Sequence, residues 1–283
     1  MQMQPNLLII GHGYTGIAIL ERARRAGWNA RVTSRNPGGE QGVIAFDDPA
    51  LLEGVTHLAV TAPPSAKGDP AWAMHAAALR SASLRWVGYI STTGVYGDRQ
   101  GGWVEEDTLA TPGQERSHRR LAAEDQWRAL ATSVDIFRTG GIYGPGRSAL
   151  DDVRAGTARR VIKPGHAFGR IHRDDIARAV LAAATCPPVA GTRILHLVDN
   201  APSEPADVTM EACRLLGVPP PLPIPFAEAY ERMSEMGRSF WDESRRVANR
   251  RTRHSLGIEW AYPTYREGLA GILAEERAQH PAK

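Results

Sequence analysis

An unbroken aliphatic run that ends in a glycine turn, Leu7-Leu8-Ile9-Ile10-Gly11-His12-Gly13-Tyr14-Thr15-Gly16, constrains this chain more than any other feature of it. A run that is apolar without alternation reads as a strand covered on both faces, the condition of a strand inside a parallel sheet. The glycines that follow are spaced G-x-G-x-x-G, and Ile17 to Arg25 reads as a helix. In that setting Gly11 lets the chain turn sharply off the strand, Gly13 lets backbone approach a pyrophosphate, and Gly16 lets the helix pack close to the sheet. The unpaired N–H groups and the dipole at the helix start then favour an anion. A bare glycine-rich loop is the competing reading. The buried strand before the turn and the helix after it point instead to a dinucleotide site at Gly11, His12, Gly13, Tyr14, Thr15 and Gly16.

The second strand decides which dinucleotide. Ala30-Arg31-Val32-Thr33 ends at Ser34-Arg35, where an acidic residue would receive a ribose 2′-hydroxyl, and no acid stands there. A small hydroxyl followed by a guanidinium suits a 2′-phosphate, which accepts bidentate hydrogen bonds from arginine. The expected cofactor is therefore NADP, with NAD as the second choice; the competing reading makes Arg35 an ordinary solvated arginine.

Composition removes other classes. With 283 residues, 42% of them hydrophobic, the chain can bury a sizeable core as one large domain or as a large and a small one. The formal charge of +3 is almost wholly arginine, since Lys67, Lys163 and Lys283 are the only lysines. The basic residues are interleaved with acids except for a short cluster from Arg245 to Arg253, which argues against a nucleic-acid footprint. Cys186 and Cys213 form no C-x-x-C and no disulfide framework, which fits a reducing, cytoplasmic setting. No apolar run approaches the roughly 18 residues of a membrane helix, and Met1 to Asn6 lack the basic and apolar blocks of a signal peptide. The histidines show no H-E-x-x-H and no zinc spacing with cysteine, so no metal site is expected.

Strand-like and helical runs then alternate: strands at 7–11, 30–33, 43–46, 57–61, 85–91 and 134–138, helices at 14–26, 70–83 and near 115–131. That alternation predicts an α/β fold of Rossmann type, a doubly wound parallel sheet covered by helices on both faces. A helix at 174–185, a strand at 193–198, and helices at 205–216 and 264–277 follow. The stretch from Pro219 to Pro225 is no regular helix and reads as a rigid connector into a smaller, mostly helical C-terminal part. The expected division is a cofactor-binding domain over 1–165, with 170–200 returning to it, and a substrate lobe mainly over 201–283.

Three further segments resemble, in order, signatures of the extended short-chain dehydrogenases/reductases, the superfamily of the NAD-dependent epimerases and dehydratases. They are Tyr89-Ile90-Ser91-Thr92-Thr93-Gly94-Val95-Tyr96-Gly97, Phe137-Arg138-Thr139-Gly140-Gly141-Ile142-Tyr143-Gly144-Pro145-Gly146 and Ile171-His172-Arg173-Asp174-Asp175-Ile176-Ala177. The glycine turn is similar to the family's G-x-x-G-x-x-G with its first interval shortened. The resemblance covers almost the whole chain and implies a bound nicotinamide dinucleotide. It adds Asp47, Ala62, Pro63, Thr92, Arg120 and Ile142 to the cofactor-binding set beside Ser34 and Arg35, and it implies a homodimer through the helices at 70–83 and 115–131, which carry Trp72, Met74 and Trp127; the aromatic residues there read equally as core.

The resemblance also shows what is altered. Family members pair a serine or threonine with Tyr-x-x-x-Lys, the lysine and cofactor lowering the tyrosine pKa for proton exchange. Thr92 matches the first member. Aligning Leu121-Ala122-Ala123-Glu124 with the family places Arg116 at the tyrosine and Arg120 at the lysine, and none of the 7 tyrosines has a lysine four residues on. A guanidinium stays protonated, so Arg116 is no general base. One helical turn apart, the two arginines read either as an anion site or as solvated helix residues. Arg120 keeps the lysine's ability to donate to the nicotinamide ribose. Tyr143 is a candidate hydroxyl near the nicotinamide, and His118, beside the arginine pair, is a candidate surrogate base. His172 reads as a structural hydrogen-bonding residue, and Asp174 or Asp175 as a residue favoured by the helix dipole. Thr93-Gly94 stands where dehydratases of the family carry an acidic pair. Two functions follow: an NAD(P)-dependent oxidoreductase acting on a small hydroxylated, carbonyl or nucleotide-sugar substrate through a proton path without tyrosine, or a non-catalytic NADP-binding sensor.

Overall fold

The computed structural model describes residues 4–39, 41–130, 132–186 and 191–279. The first three residues of the Met1–Asn6 segment and the last residue of the expected 115–131 helix lie outside the described residues. The elements run β1 (Asn6–Ile10), α1 (Tyr14–Arg25), β2 (Asn29–Ser34), β3 (Val43–Ala45), β4 (His57–Val60), α2 (Pro70–Ser81), β5 (Trp86–Thr92), β6 (Trp103–Val104), α3 (Glu115–Arg128), β7 (Ser133–Thr139), β8 (Gly141–Tyr143), α4 (Ala149–Arg154), β9 (Arg160–Ile162) and β10 (Arg170–His172). Then come α5 (Arg173–Thr185), β11 (Gly191–Leu197), α6 (Pro205–Leu216), β12 (Pro223–Pro225), α7 (Phe226–Glu231), α8 (Glu235–Trp241), β13 (Arg246–Val247), α9 (Arg250–Leu256) and α10 (Tyr265–Gln279).

Seven strands form one parallel sheet in the order β11-β7-β5-β4-β1-β2-β3. The continuous apolar run of β1 has the cause inferred from sequence. Successive side chains point to opposite faces, so Leu7 and Ile9 enter a core shared with α1 and α5, while Leu8 and Ile10 enter a second core with Leu79 of α2 and Trp127 of α3. Both faces are covered, as a parallel sheet requires. The chain leaves β1 toward β2 and β3 on one side and resumes at β4 on the other, which makes the β1/β4 boundary the topological switch point where α/β sheets bind ligands. Gly11, Thr61, Thr92 and Thr139 sit at or just beyond the carboxyl ends of four adjacent strands there.

A separate small core joins Tyr143 and Leu150 to Val208, Ala212, Tyr265, Leu269, Ile272 and Leu273. Helix α4, sequentially within the expected 1–165 segment, is thus packed with the C-terminal helices. The proline run is more than a connector: Pro223-Ile224-Pro225 pairs in parallel with Arg160-Val161-Ile162, and proline is tolerated because the pair is an isolated two-stranded edge. Trp127 is fully buried and donates to Asp69, which caps α2 through Ala71 N and Trp72 N. Trp72 packs edge-on against Trp127, and Met74 is exposed. Within the Arg245–Arg253 cluster, Arg245 pairs with Glu243, Arg251 with Glu105 and Asp107, and Arg253 with Glu259. Among the described residues no helix is long and apolar enough to cross a membrane.

Candidate functional site

The glycine turn is built by close approach. Gly11 has φ +117°, and a Cβ there would lie 2.5 Å from the Thr61 hydroxyl. A Cβ on Gly16 would lie 1.9 Å from the Gly11 carbonyl oxygen. Thr61 ties β4 to the turn by donating to the Gly11 carbonyl at 3.0 Å, and Gly11 N donates to Thr33 at 3.2 Å. Gly13 differs: it is the extended N-cap of α1, and nothing lies within 4 Å of its would-be Cβ. No side chain caps α1, and no acid stands in its first turn. Packing therefore accounts for Gly11 and Gly16, while Gly13 leaves open space over a helix start whose N–H donors have no side-chain acceptor. These are the features a pyrophosphate needs.

The other expected cofactor residues fall around this turn. Ser34 ends β2 and accepts from Asn36 N, and Arg35 beyond it is exposed. Asp47 is exposed in the turn after β3; Ala62 N donates to the Ile10 carbonyl. His12 is half-buried in the turn, and Thr15 is buried in α1. Tyr14 donates to the Pro145 carbonyl at 3.1 Å with Arg147 and Arg173 over its ring, and burial raises its pKa. Ile142 packs into the core beside α1 and α5.

Beyond the switch point a cleft of about 490 Å³ brings Thr92, Arg116 and Arg120 together with Pro63 and Gly140. Tyr143 is not in its lining. Its ring packs against Gly268 and its hydroxyl donates toward the Thr264 carbonyl, which makes it part of the small C-terminal core rather than of the cleft. His118 is exposed on α3 and also outside the lining. Arg120 donates to the Ile90 carbonyl at 2.7 Å and to Tyr89 Oη at 3.2 Å, fixing it to β5. Burial pushes the Tyr89 hydroxyl up to about 12 despite that arginine. Arg116 lies 4.0 Å from the centre of the Phe240 ring. Burial lowers its pKa and the Glu243 carboxylate opposes the shift.

Under the cleft lies a buried ion pair. Glu124, fully buried, accepts from Arg138 at 2.7 Å and from the Ser91 hydroxyl at 2.5 Å. It clamps α3 to β5 and β7 and so fixes the helix that carries Arg116 and Arg120. His172 has the structural role expected of it: its Nδ1 accepts from Asp174 N as the N-cap of α5, and burial pushes its pKa down to about 4. Asp175 does more than sit near a helix dipole. Fully buried, it accepts from Ala261 N at 2.7 Å and Tyr262 N at 2.9 Å, tying the C-terminal segment to α5.

Sequence reading missed much of the cleft lining, Ser117, Phe168, Arg170, Phe240, Glu243 and Arg245 among it. Only Ser117 had a usable signal. A Cβ on Gly94 would lie 2.7 Å from the Ser117 hydroxyl and 3.3 Å from that of Thr92. The glycine in Thr92-Thr93-Gly94 is what lets two hydroxyls from separate elements come together. The others arrive from chain 50 to 150 residues away, where no local pattern marks them.

Fold and cleft define the class: a doubly wound parallel sheet with a cleft at its carboxyl edge, the fold that the chain shares with a putative NAD-dependent epimerase/dehydratase from Methylobacillus flagellatus at 24% identity and TM-score 0.73 over 96% of this chain and 99% of that one. More particularly, it belongs to the family of a functionally unknown conserved protein from Silicibacter pomeroyi DSS, to whose solved structure it is similar at 39% identity and TM-score 0.87 over 95% of this chain and 98% of that one. It shares the fold of human epimerase family protein SDR39U1 (isoform 2), solved with NADPH, at 19% identity and TM-score 0.79 over 95% of this chain and 99% of that one. It is also similar to a Streptomyces 3-diazoavenalumate denitrifying reductase, 32% identical over 142 residues, 47% of this chain and 45% of that protein; the similarity thus spans about half of that relative. No protein-family model matches the chain.

Proposed function

We propose that the chain is an NADP-dependent oxidoreductase of the epimerase/dehydratase type that moves a hydride between the cofactor and a small carbonyl or hydroxylated substrate. The observation that carries this reading is the conjunction, at one sheet edge, of an open Gly13 over an uncapped helix start and a cleft holding Thr92. The NADPH in the human neighbour and the reductase activity named for the Streptomyces relative support it. On this reading residues 1–165, with 170–200, hold the cofactor, and 201–283 close over the substrate.

The residues present fit NADP. The N–H groups of Tyr14 and Thr15 would hold the pyrophosphate, Ser34 and Arg35 would take the 2′-phosphate, and Ala62 and Pro63 would border the cofactor between its two ends. When bound, NADPH supplies the hydride. Thr92 Oγ1 already accepts from Gly94 N at 3.1 Å, so its own proton is left for a substrate oxygen, and Ser117 offers a second hydroxyl beside it. As hydride reached the carbonyl carbon and the C=O π bond broke, this hydroxyl pair would give the oxygen its proton and be replenished from water. Arg120, held to the end of β5, presents its remaining N–H donors toward the nicotinamide ribose.

One observation favours the second reading, a protein that binds NADP without turnover: among the described residues the cleft lining includes no tyrosine and no lysine. One experiment tests both. Purified protein is titrated with NADPH by fluorescence and then mixed with a panel of keto and hydroxylated compounds. Binding followed by oxidation of NADPH supports the enzyme, binding without turnover supports the sensor, and absence of binding refutes both.

A further inference from the structure

We propose that this cleft takes its substrate as a planar monocarboxylate with a flat apolar body, the carboxylate on Arg116 and the body against Phe168 and Phe240. The inference rests on the cleft being the substrate site of the reading above, and it narrows the substrate class.

The argument starts from charge. The lining contains four guanidinium groups, those of Arg116, Arg120, Arg170 and Arg245, and one carboxylate, Glu243. Three of the four are engaged. Arg120 donates to the Ile90 carbonyl and Tyr89. Arg170 donates to the Phe168 carbonyl at 3.1 Å and the Ser203 carbonyl at 2.9 Å. Arg245 donates to the Gly97 carbonyl at 2.7 Å and to Glu243 Oε2 at 2.8 Å, while Glu243 Oε1 is buried without a hydrogen-bond partner. Arg116 has no hydrogen-bond or ion-pair partner among the described residues. It rests 4.0 Å from the Phe240 ring centre. A ring face attracts a cation but offers no oxygen acceptor, so the five N–H donors of this guanidinium are left for a ligand.

A single unengaged guanidinium selects among anions. Its planar fork matches a carboxylate bidentately and balances one negative charge. The body of the ligand follows from the walls. Pro63, Pro64, Ala167, Phe168, Phe240 and Val247 make an apolar side of the lining, on which a sugar ring would find no partners for its hydroxyls, while threonine and serine hydroxyls line the rest. A conjugated or aromatic acid loses nothing there, and its far end reaches the hydroxyls of Thr92 and Ser117. Phe240 comes from α8, whose start is capped by Ser234 through Gly237 N. That helix supplies the wall on which both the guanidinium and the ligand rest.

The test uses the full chain loaded with NADPH and two probes of one shape, cinnamate and its neutral amide cinnamamide, with binding read by ligand-observed NMR and calorimetry. Cinnamate is expected to bind at least tenfold more tightly than the amide. Arg116→Gln should lose that tenfold for cinnamate while leaving amide binding, NADPH binding and the melting temperature unchanged, and Arg116→Lys should restore part of it. Equal affinity for acid and amide overturns the proposal, as does an unchanged Arg116→Gln variant or no cinnamate binding by protein that holds NADPH. Cinnamate binding that depends on Arg116 in protein that does not bind NADPH would sustain this inference and sink the cofactor reading.

Discussion

Gly13 and Gly16 are three residues apart in one motif, yet the structure predicts opposite consequences for replacing them. A side chain at Gly13 meets nothing within 4 Å, and the backbone there is extended, with φ −103° and ψ −173°, a conformation any residue adopts. The cost of Gly13→Val to the fold is then mainly that of an apolar residue at an N-cap, about 0.5–1 kcal/mol. For a chain of this size that is a shift in Tm of roughly 1–4 °C. The same side chain occupies the space over the α1 N-terminus, where a pyrophosphate would lie, so NADPH affinity should fall below detection. Gly16→Ala is the converse. Its Cβ would stand 1.9 Å from the Gly11 carbonyl oxygen, and backbone cannot rotate aside as a side chain does. Overpacking of about 1–3 kcal/mol, only partly offset by alanine's better helix propensity of about 1 kcal/mol, should lower Tm before any ligand is added. Thermal melts with and without NADPH, with calorimetric titration of each variant, separate the two. A Gly13→Val protein that melts normally and binds NADPH as tightly as the parent would refute the assignment of this turn to a dinucleotide.

Other consequences can be checked in the same way. The parent should prefer NADPH to NADH by at least about tenfold, or 1.4 kcal/mol, because Arg35 follows Ser34 where an acid would repel the 2′-phosphate; Arg35→Asp should reverse the order, and equal affinities in the parent would contradict it. Glu124→Ala leaves the buried Arg138 without its counter-ion, a loss of about 3–5 kcal/mol in urea denaturation; a change below about 1 kcal/mol would mean the pair is not what holds α3. His172 has a folded pKa pushed to about 4 by burial, below its ordinary 6.5, so the unfolded chain binds the extra proton in that interval. Its contribution is present above about pH 6.5 and lost as pH falls toward 4. His172→Asn, which keeps an acceptor for Asp174 N, should make the acid-side loss of stability shallower than in the parent, and identical pH profiles would count against the burial account.

What the sequence by itself determined is the local grammar. The aliphatic run Leu7–Ile10, the glycine spacing after it and the strand–helix alternation were enough for a doubly wound parallel sheet with its ligand edge at Gly11, because periodicity and turn chemistry are properties of neighbouring residues. Helix α6, expected over 205–216, spans Pro205–Leu216 for the same reason: proline opens it and Gly217 closes it in the left-handed conformation. Tertiary structure alone decided the rest. Arg116 and Arg120 look equivalent on paper, one turn apart on a helix, but β5 engages Arg120 through the Ile90 carbonyl and leaves Arg116 on a ring contributed by α8. Tyr143 sits in a motif that implies a place near the nicotinamide, yet Gly268 of α10 gives its ring a closer home. Glu243, Arg245 and Phe240 reach the cleft only because the chain returns after α7 to pack over α3. Such contacts depend on which distant surfaces bury one another, and no window of sequence contains both partners.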